Sequence, residues 1–267
     1  MTAVRLIGSF IRRDWLTARS YRFPFVLNLT TSLFLLVLVF EAGKLVDRAP
    51  QQDHRLHHGY FAFVVVGMAV WQAVFAALHA FAGKLREEQS TGTLEALLAT
   101  PTPPSLVILG AAAYELVQVF IGSIALIAIG AAAGADLTGR PLAFLAALAE
   151  LLLLLAVFAA LGVVVAAFTV VFKRGTALAG MVAAVCALLG GVYFPVSLLP
   201  GWIQALAKAL PFTWGVDALR DALIFGQADG VRIVGLVGCT VVALPLALLV
   251  FRRSVDNARR NGTLAQY

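Results

Sequence analysis

Two acidic residues, Glu115 and Glu150, lie inside long apolar stretches of the sequence. An ionisable side chain within hydrocarbon is costly, so it usually faces a cavity, a partner side chain or a transport path. Two carboxyl groups brought together can also divide general acid and base roles between them. The alternatives are a protonated carboxyl bonded to a neighbouring helix, or an acid close to the bilayer surface. No nucleophile elbow, metal-binding helix motif or Ser/His/Asp grouping accompanies the two residues.

The sequence has few residues suited to holding a metal or cofactor. His54, His57 and His58 are spaced closely enough to share a zinc ion, but no cysteine or carboxylate completes a usual ligand set. A solvated loop is the simpler interpretation of this cluster. Cys186 and Cys239 lie in apolar runs and are predicted to be small buried side chains. No G-x-x-x-x-G-K-[ST] motif occurs, so ATP and Mg²⁺ would have to be bound by another subunit.

A polar stretch at residues 86–101, which we call the polar island, interrupts the apolar sequence with REEQSTGTLEALLATP. The pattern predicts a short helix, with Gly92 at its N-cap and Glu95 near the positive end of its dipole. Pro101 and the prolines that follow would stop this helix. A polar helix between two apolar runs indicates a surface that contacts a soluble partner.

Composition places these features in a membrane. The chain of 267 residues is 61% hydrophobic and 13% charged, with a mean hydropathy of +0.92, whereas soluble domains are about 25% charged. The net charge of +6 is concentrated at the ends of apolar runs, which is a topology signal and excludes nucleic acid as the expected partner. We therefore predict an all-α polytopic membrane protein.

Apolar runs of about 20 residues define the elements, since that length crosses a bilayer. Residues 2–20 predict an amphipathic helix lying on an anionic membrane surface, in which Asp14 and Leu16 break the pattern. The alternative for this segment is a charge signal for orientation alone. In a single domain, 1–267, the six predicted spans are 24–42, 59–82, 105–134, 141–172, 176–194 and 231–251, with an outer segment at 195–228 and a tail at 252–267.

The distribution of Lys and Arg gives the orientation. Thirteen of the 20 lie on the side of the termini and the polar island, and seven lie on the other side. Because cytoplasmic loops are rich in Lys and Arg, both termini and the island are predicted to be cytoplasmic.

The outer segment combines aromatic residues with prolines. Such residues often anchor a chain at the membrane surface, but broken helices at membrane depth must be buried in protein or line a cavity. We expect a re-entrant cap over a pathway. Together with the two acids Glu115 and Glu150, the candidate residues of this pathway or cap are Tyr193, Phe194, Pro195, Trp202, Phe212 and Trp214.

Residues 86–101 and the sequence GGVYFPVSLLPGWIQALAKALPFTWGVDALR at 190–220 resemble two signatures of type-2 ABC exporter permeases. The resemblance implies one half of a membrane part that dimerises, usually with itself, in the cell (cytoplasmic) membrane. It also implies two separate ATPase subunits, which would bind the island as a coupling helix. The implied coupling residues are Glu87, Glu88, Gly92, Thr93, Leu94, Glu95, Leu97, Leu98, Thr100 and Pro101.

The resemblance implies a transport subunit without an ATPase site of its own. We expect export of an amphiphilic drug-like or lipid-like substrate, because spans 3 and 4 contain few aromatic residues. The alternative within the family is polysaccharide or glycolipid export. Outside it, the alternatives are a membrane enzyme that uses Glu115 and Glu150, and a channel or scaffold whose island binds another soluble protein.

Overall fold

A computed structural model describes residues 3–20, 22–47, 58–92, 102–172 and 175–260. These residues form helices joined by short turns, and no strand occurs among them. The helices are α1 (Ala3–Ser20), α2 (Arg22–Val46), α3 (Tyr60–Ser90), α4 (Pro104–Ala132), α5 (Pro141–Phe172), α6 (Gly175–Leu189), α7 (Gly201–Ala209), α8 (Pro211–Leu223) and α9 (Gly230–Arg260), with a 3-10 turn at Val196–Leu198.

Four of the described helices, α3, α4, α5 and α9, are long and apolar enough to cross a membrane. Helices α2 and α6 occupy the places predicted for spans 1 and 5. Helix α6 has 15 residues and is about 22 Å long, shorter than a hydrocarbon core of about 30 Å. The all-helical polytopic class expected from composition is confirmed. We call the side that carries α1 the inner side and the side that carries α7 and α8 the outer side.

Helix α3 lies at the centre of the bundle, where it contacts α2, α4, α5, α6 and α8. Small residues allow these close contacts, as is usual where helices pack in lipid. A Cβ at Gly162 of α5 would clash with Ala77 O of α3, and one at Gly130 of α4 would lie 2.5 Å from the Val65 side chain. Ser123 adds a hydrogen bond from α4 to a carbonyl of α3.

The long C-terminal helix differs from its predicted form. The sequence predicted a span ending at 251 and a tail, but α9 continues to Arg260. Phe251, Val255 and Ala258 recur on one face of this extension and are buried in a cluster with the inner parts of α3 and α5. Residues 252–260 therefore belong to the packed inner side of the bundle.

Candidate functional site

The polar island does not begin as a separate helix. Glu87 and Glu88 lie in the last turns of α3, which continues eight residues beyond the predicted end of span 2, from 82 to Ser90. Thr91 donates its backbone N–H to Glu87 O at 3.0 Å, which closes the helix. Gly92 then has a φ of +73°, the left-handed conformation of a residue that follows a helix. This geometry ends α3, and the short helix predicted to start at Gly92 lies outside the described residues.

Glu87 and Glu88 face different surroundings at this helix end. The Glu87 side chain is 61% exposed and pairs with Lys84 at 2.8 Å. The Glu88 side chain is 11% exposed and accepts a hydrogen bond from Arg13 Nη2 at 2.9 Å. Of the residues predicted for coupling, these two and Gly92 are described. The others lie outside the described residues: Thr93, Leu94, Glu95, Leu97, Leu98, Thr100 and Pro101.

Arg13 joins α1 to the inner end of α3. Its Nε donates to Asp14 Oδ1 at 2.9 Å while its Nη2 reaches Glu88, so one guanidinium holds two carboxylates. Partial burial disfavours the charge of Arg13, but the hydrogen bonds and charges of Asp14 and Glu88 outweigh it and raise the pKa of Arg13. Arg13 therefore stays protonated, and it links α1 to the end of α3 through Glu88.

The apolar face of α1 is fixed to α4. Phe10 is buried against Val107 and Ala111, and its ring fills the space left by Gly110, where a Cβ would lie 2.7 Å from Phe10 Cδ2. Trp15 makes an edge contact with the Tyr114 ring at 6.4 Å between centroids. Helix α1 is thus docked on α4 through Leu6, Phe10 and Trp15, beside the polar end of α3.

The two intramembrane acids do not meet. Glu115 is on α4 near the inner side, and its Oε1 lies 3.7 Å from Lys84 Nζ of α3. Glu150 is on α5 in the outer half, fully buried, and its carboxyl oxygens have no hydrogen-bond partner in the described part of the chain. The carboxylate pair that a membrane enzyme would need is therefore not formed by these residues.

The outer segment is a packed unit on the bundle. Phe212 is fully buried and makes an edge contact with Phe158 of α5, 5.9 Å between centroids. Trp214 Nε1 donates to Lys208 O at 2.6 Å and so closes the end of α7. Trp202 is 70% exposed. Tyr193 and Phe194 are half-buried, and Pro195 is buried, in the turn that follows α6.

One histidine of the cluster is described. His58 Nδ1 lies 3.0 Å from Asp136 Oδ2, and its ring stands edge-on to Phe225. This contact joins three outer connections, between α2 and α3, α4 and α5, and α8 and α9. No metal-binding group of His, Cys, Asp and Glu occurs within the described ranges. His54 and His57 lie outside them.

A comparison with protein-family models identifies the family of the chain. Residues 5–224 match the model of the ABC-2 type transporter family. The chain belongs to this family. A search of curated proteins gave no match. The ABC-2 chain is accordingly a multi-pass permease subunit of an ABC transporter, a subunit type that is generally not itself catalytic and that associates with ABC ATPases.

Sequence reasoning missed two charged residues that organise the ABC-2 chain. Asp14 interrupts the apolar face predicted for α1, and the structure explains why, because Asp14 is buried beside Arg13, which also binds Glu88. Arg220 was counted with the outer loops, yet it is 2% exposed and binds backbone carbonyls. A charge on the apolar side of a predicted helix was the available signal for Asp14, whereas no spacing distinguished Arg220.

Proposed function

We propose that the chain is the membrane subunit of an exporter that moves an amphiphilic drug-like or lipid-like substrate outward. In this proposal two copies of the chain associate, and two ATPase subunits bind them on the inner side. The observation that carries the proposal is the inner end of α3. A helix of 31 residues is about 46 Å long and extends beyond a hydrocarbon core of about 30 Å. Its last turn exposes the Glu87 carboxylate to solvent.

Glu87 and Glu88 have separate roles in this proposal. Glu87 supplies an exposed negative charge for a basic surface of the ATPase, and residues 93–101 continue the contact. Glu88 faces α1 and holds α1 against α3 through Arg13. A motion imposed on the island is then shared by α3 and α1, because the ion pair and the Phe10 contact tie both helices to one end of the bundle.

The test is binding of the ATPase subunit to a Glu87→Lys variant. The chain contains a matched control in Glu41, which is also 61% exposed and also pairs with a lysine three residues away, Lys44, at 2.7 Å. Glu41 lies at the opposite end of the bundle. We expect Glu87→Lys to weaken ATPase binding at least about threefold, more at low salt, since exposed charges are screened. Glu41→Lys should leave binding unchanged.

Equal affinities for both variants would contradict the role of Glu87. Failure of the reference chain to co-purify with any ATPase subunit would contradict the exporter itself. The substrate class is then tested by stimulation of ATP hydrolysis in proteoliposomes, with a cationic amphiphilic drug, a phospholipid and an oligosaccharide compared at equal concentration. Stimulation by the oligosaccharide alone would contradict the amphiphilic substrate and support polysaccharide export instead.

A further inference from the structure

Arg220 of α8 is the largest side chain that is fully buried in the described bundle. Its Nε and Nη2 donate to the Phe63 carbonyl of α3 at 3.2 and 3.0 Å. Nη2 also donates to the Val192 carbonyl at 3.0 Å, and the guanidinium lies 3.4 Å from the centroid of the Phe63 ring. One side chain thus links α8 to the outer part of α3 and to the turn after α6. We call this contact the Arg220 clasp.

Glycines make the clasp sterically possible. A Cβ at Gly67 of α3 would lie 2.5 Å from Val192 O and 2.7 Å from Arg220 Nη2. Gly190 lies against the Phe212 ring with no room for a Cβ, and Gly191 has a φ of +72°, which a larger residue adopts only under strain. The turn at 190–192 therefore approaches α3 and α8 as closely as backbone atoms allow.

Burying a guanidinium costs more free energy than burying an aliphatic side chain of similar size. Burying a charge requires that its donors be satisfied, and an aliphatic side chain of similar length would avoid that cost. The planar fork of arginine does what an aliphatic chain cannot, because it binds acceptors on two separate elements in a fixed relative orientation. The clasp consequently fixes direction as well as distance between α3 and the outer segment.

We propose that Arg220 is a positioning residue which makes the turn at 190–192 and the outer segment that follows it move with α3. Helix α3 is continuous from Tyr60 to Ser90 and contains no proline, a common cause of helix kinks. Its outer end carries the Arg220 clasp and its inner end carries the exposed Glu87. The inference rests on the proposed function: displacement of the inner end by the ATPases reaches the outer segment through α3 and the clasp.

The experiment compares two fluorescent labels in the complex of the chain with its ATPase in lipid nanodiscs. Each label is attached to a single cysteine, at Leu198 on the outer segment or at Ser90 on the inner end of α3. Both positions are exposed, and Cys186 and Cys239 are first replaced by alanine. ATP with vanadate is added, and the change in emission of each label is recorded.

Two variants open the clasp and one matched variant does not. Gly67→Ala forces Val192 and Arg220 apart, and Arg220→Met removes the donors, so we expect the ATP-dependent change at 198 to fall at least about fivefold in both. The change at 90 and the rate of ATP hydrolysis should remain. Gly83→Ala lies on the same helix with nothing described within 4 Å of the added Cβ, and it should behave as the reference. Arg220→Lys, which retains a donor, should restore part of the change at 198.

A full change at 198 in Gly67→Ala, with the change at 90 intact, would overturn the role of the clasp and leave the proposed function standing. A merely structural role for Arg220 would reduce both labels together with the yield of folded complex, and that result would also overturn it. Absence of any ATP-dependent change at 90 in the reference complex would refute the coupling function on which the inference rests.

Discussion

Breaking the ion pair between Arg13 and Glu88 should release α1 from the bundle. Two unit charges about 4 Å apart attract by about 1 kcal/mol in water and about 4 kcal/mol at the effective dielectric near a protein surface. The Glu88 side chain is 11% exposed, which favours the larger figure, but Arg13 is 44% exposed, which reduces it by solvent screening. We expect a coupling free energy of about 1–2 kcal/mol between the two side chains.

The assay is hydrogen exchange of the α1 amides, read in a double-mutant cycle of Arg13→Ala, Glu88→Ala and the double variant. Local opening of α1 governs exchange there, so 1–2 kcal/mol corresponds to about 5–30-fold faster exchange in either single variant. In the double variant, exchange should be slower than the sum of the two single free-energy effects predicts, since the ion pair is lost only once.

Glu87→Ala provides the matched control, one residue away on the same helix turn. Its side chain is 61% exposed and pairs with Lys84, so its loss should change α1 exchange by less than about twofold. Additive effects of Arg13→Ala and Glu88→Ala would show that the two side chains do not interact. A larger effect of Glu87→Ala than of Glu88→Ala on α1 would refute the assignment of Glu88 to α1.

Three further predictions concern the packing that surrounds the site. Gly162→Ala should destabilise the chain by about 1–3 kcal/mol, because the new Cβ meets Ala77 O and lies 2.8 Å from a Phe81 ring carbon. The measurement is a thermal-stability scan in detergent. Gly180→Ala should show no loss of stability in this scan, because nothing described lies within 4 Å of its added Cβ. Ser123→Ala removes a hydrogen bond between α4 and α3 and should cost about 1 kcal/mol in the same scan, whereas Thr169→Ala, whose hydroxyl bonds within its own helix, should cost less. Trp214→Phe removes the hydrogen bond to the end of α7 and should speed amide exchange within residues 201–209 severalfold, with no change in α4.

Hydropathy and helix-breaking residues predicted much of the secondary structure. Helix α5 has the bounds 141–172 that were predicted for span 4, because Pro141 begins a long apolar run in which Glu150 is the one charged residue. The two short outer helices also begin directly after or at prolines, at Gly201 and Pro211. Local sequence carries such signals, since proline restricts its own backbone and that of the preceding residue.

Direction of side chains could not be predicted in the same way. Glu87 and Glu88 are adjacent and chemically alike, yet one faces solvent and the other faces Arg13, 75 residues away in sequence. The left-handed Gly92 was equally ambiguous, because a glycine between polar residues suits the start or the end of a helix. The Arg220 clasp depends on carbonyls of Phe63 and Val192, and backbone acceptors leave no trace in the side-chain pattern.

The short length of α6 has a consequence for the lipid around the protein. Helices α3 and α9 have 31 residues each, so both remain long enough to span a thicker bilayer. Helix α6 has 15 residues and is already shorter than the hydrocarbon core. Hydrophobic mismatch therefore falls on α6 and on the glycine turn that follows it. Longer acyl chains should consequently change the conformation of the outer segment before that of the inner end of α3. Membrane thickness would then act mainly on the outer side of the molecule.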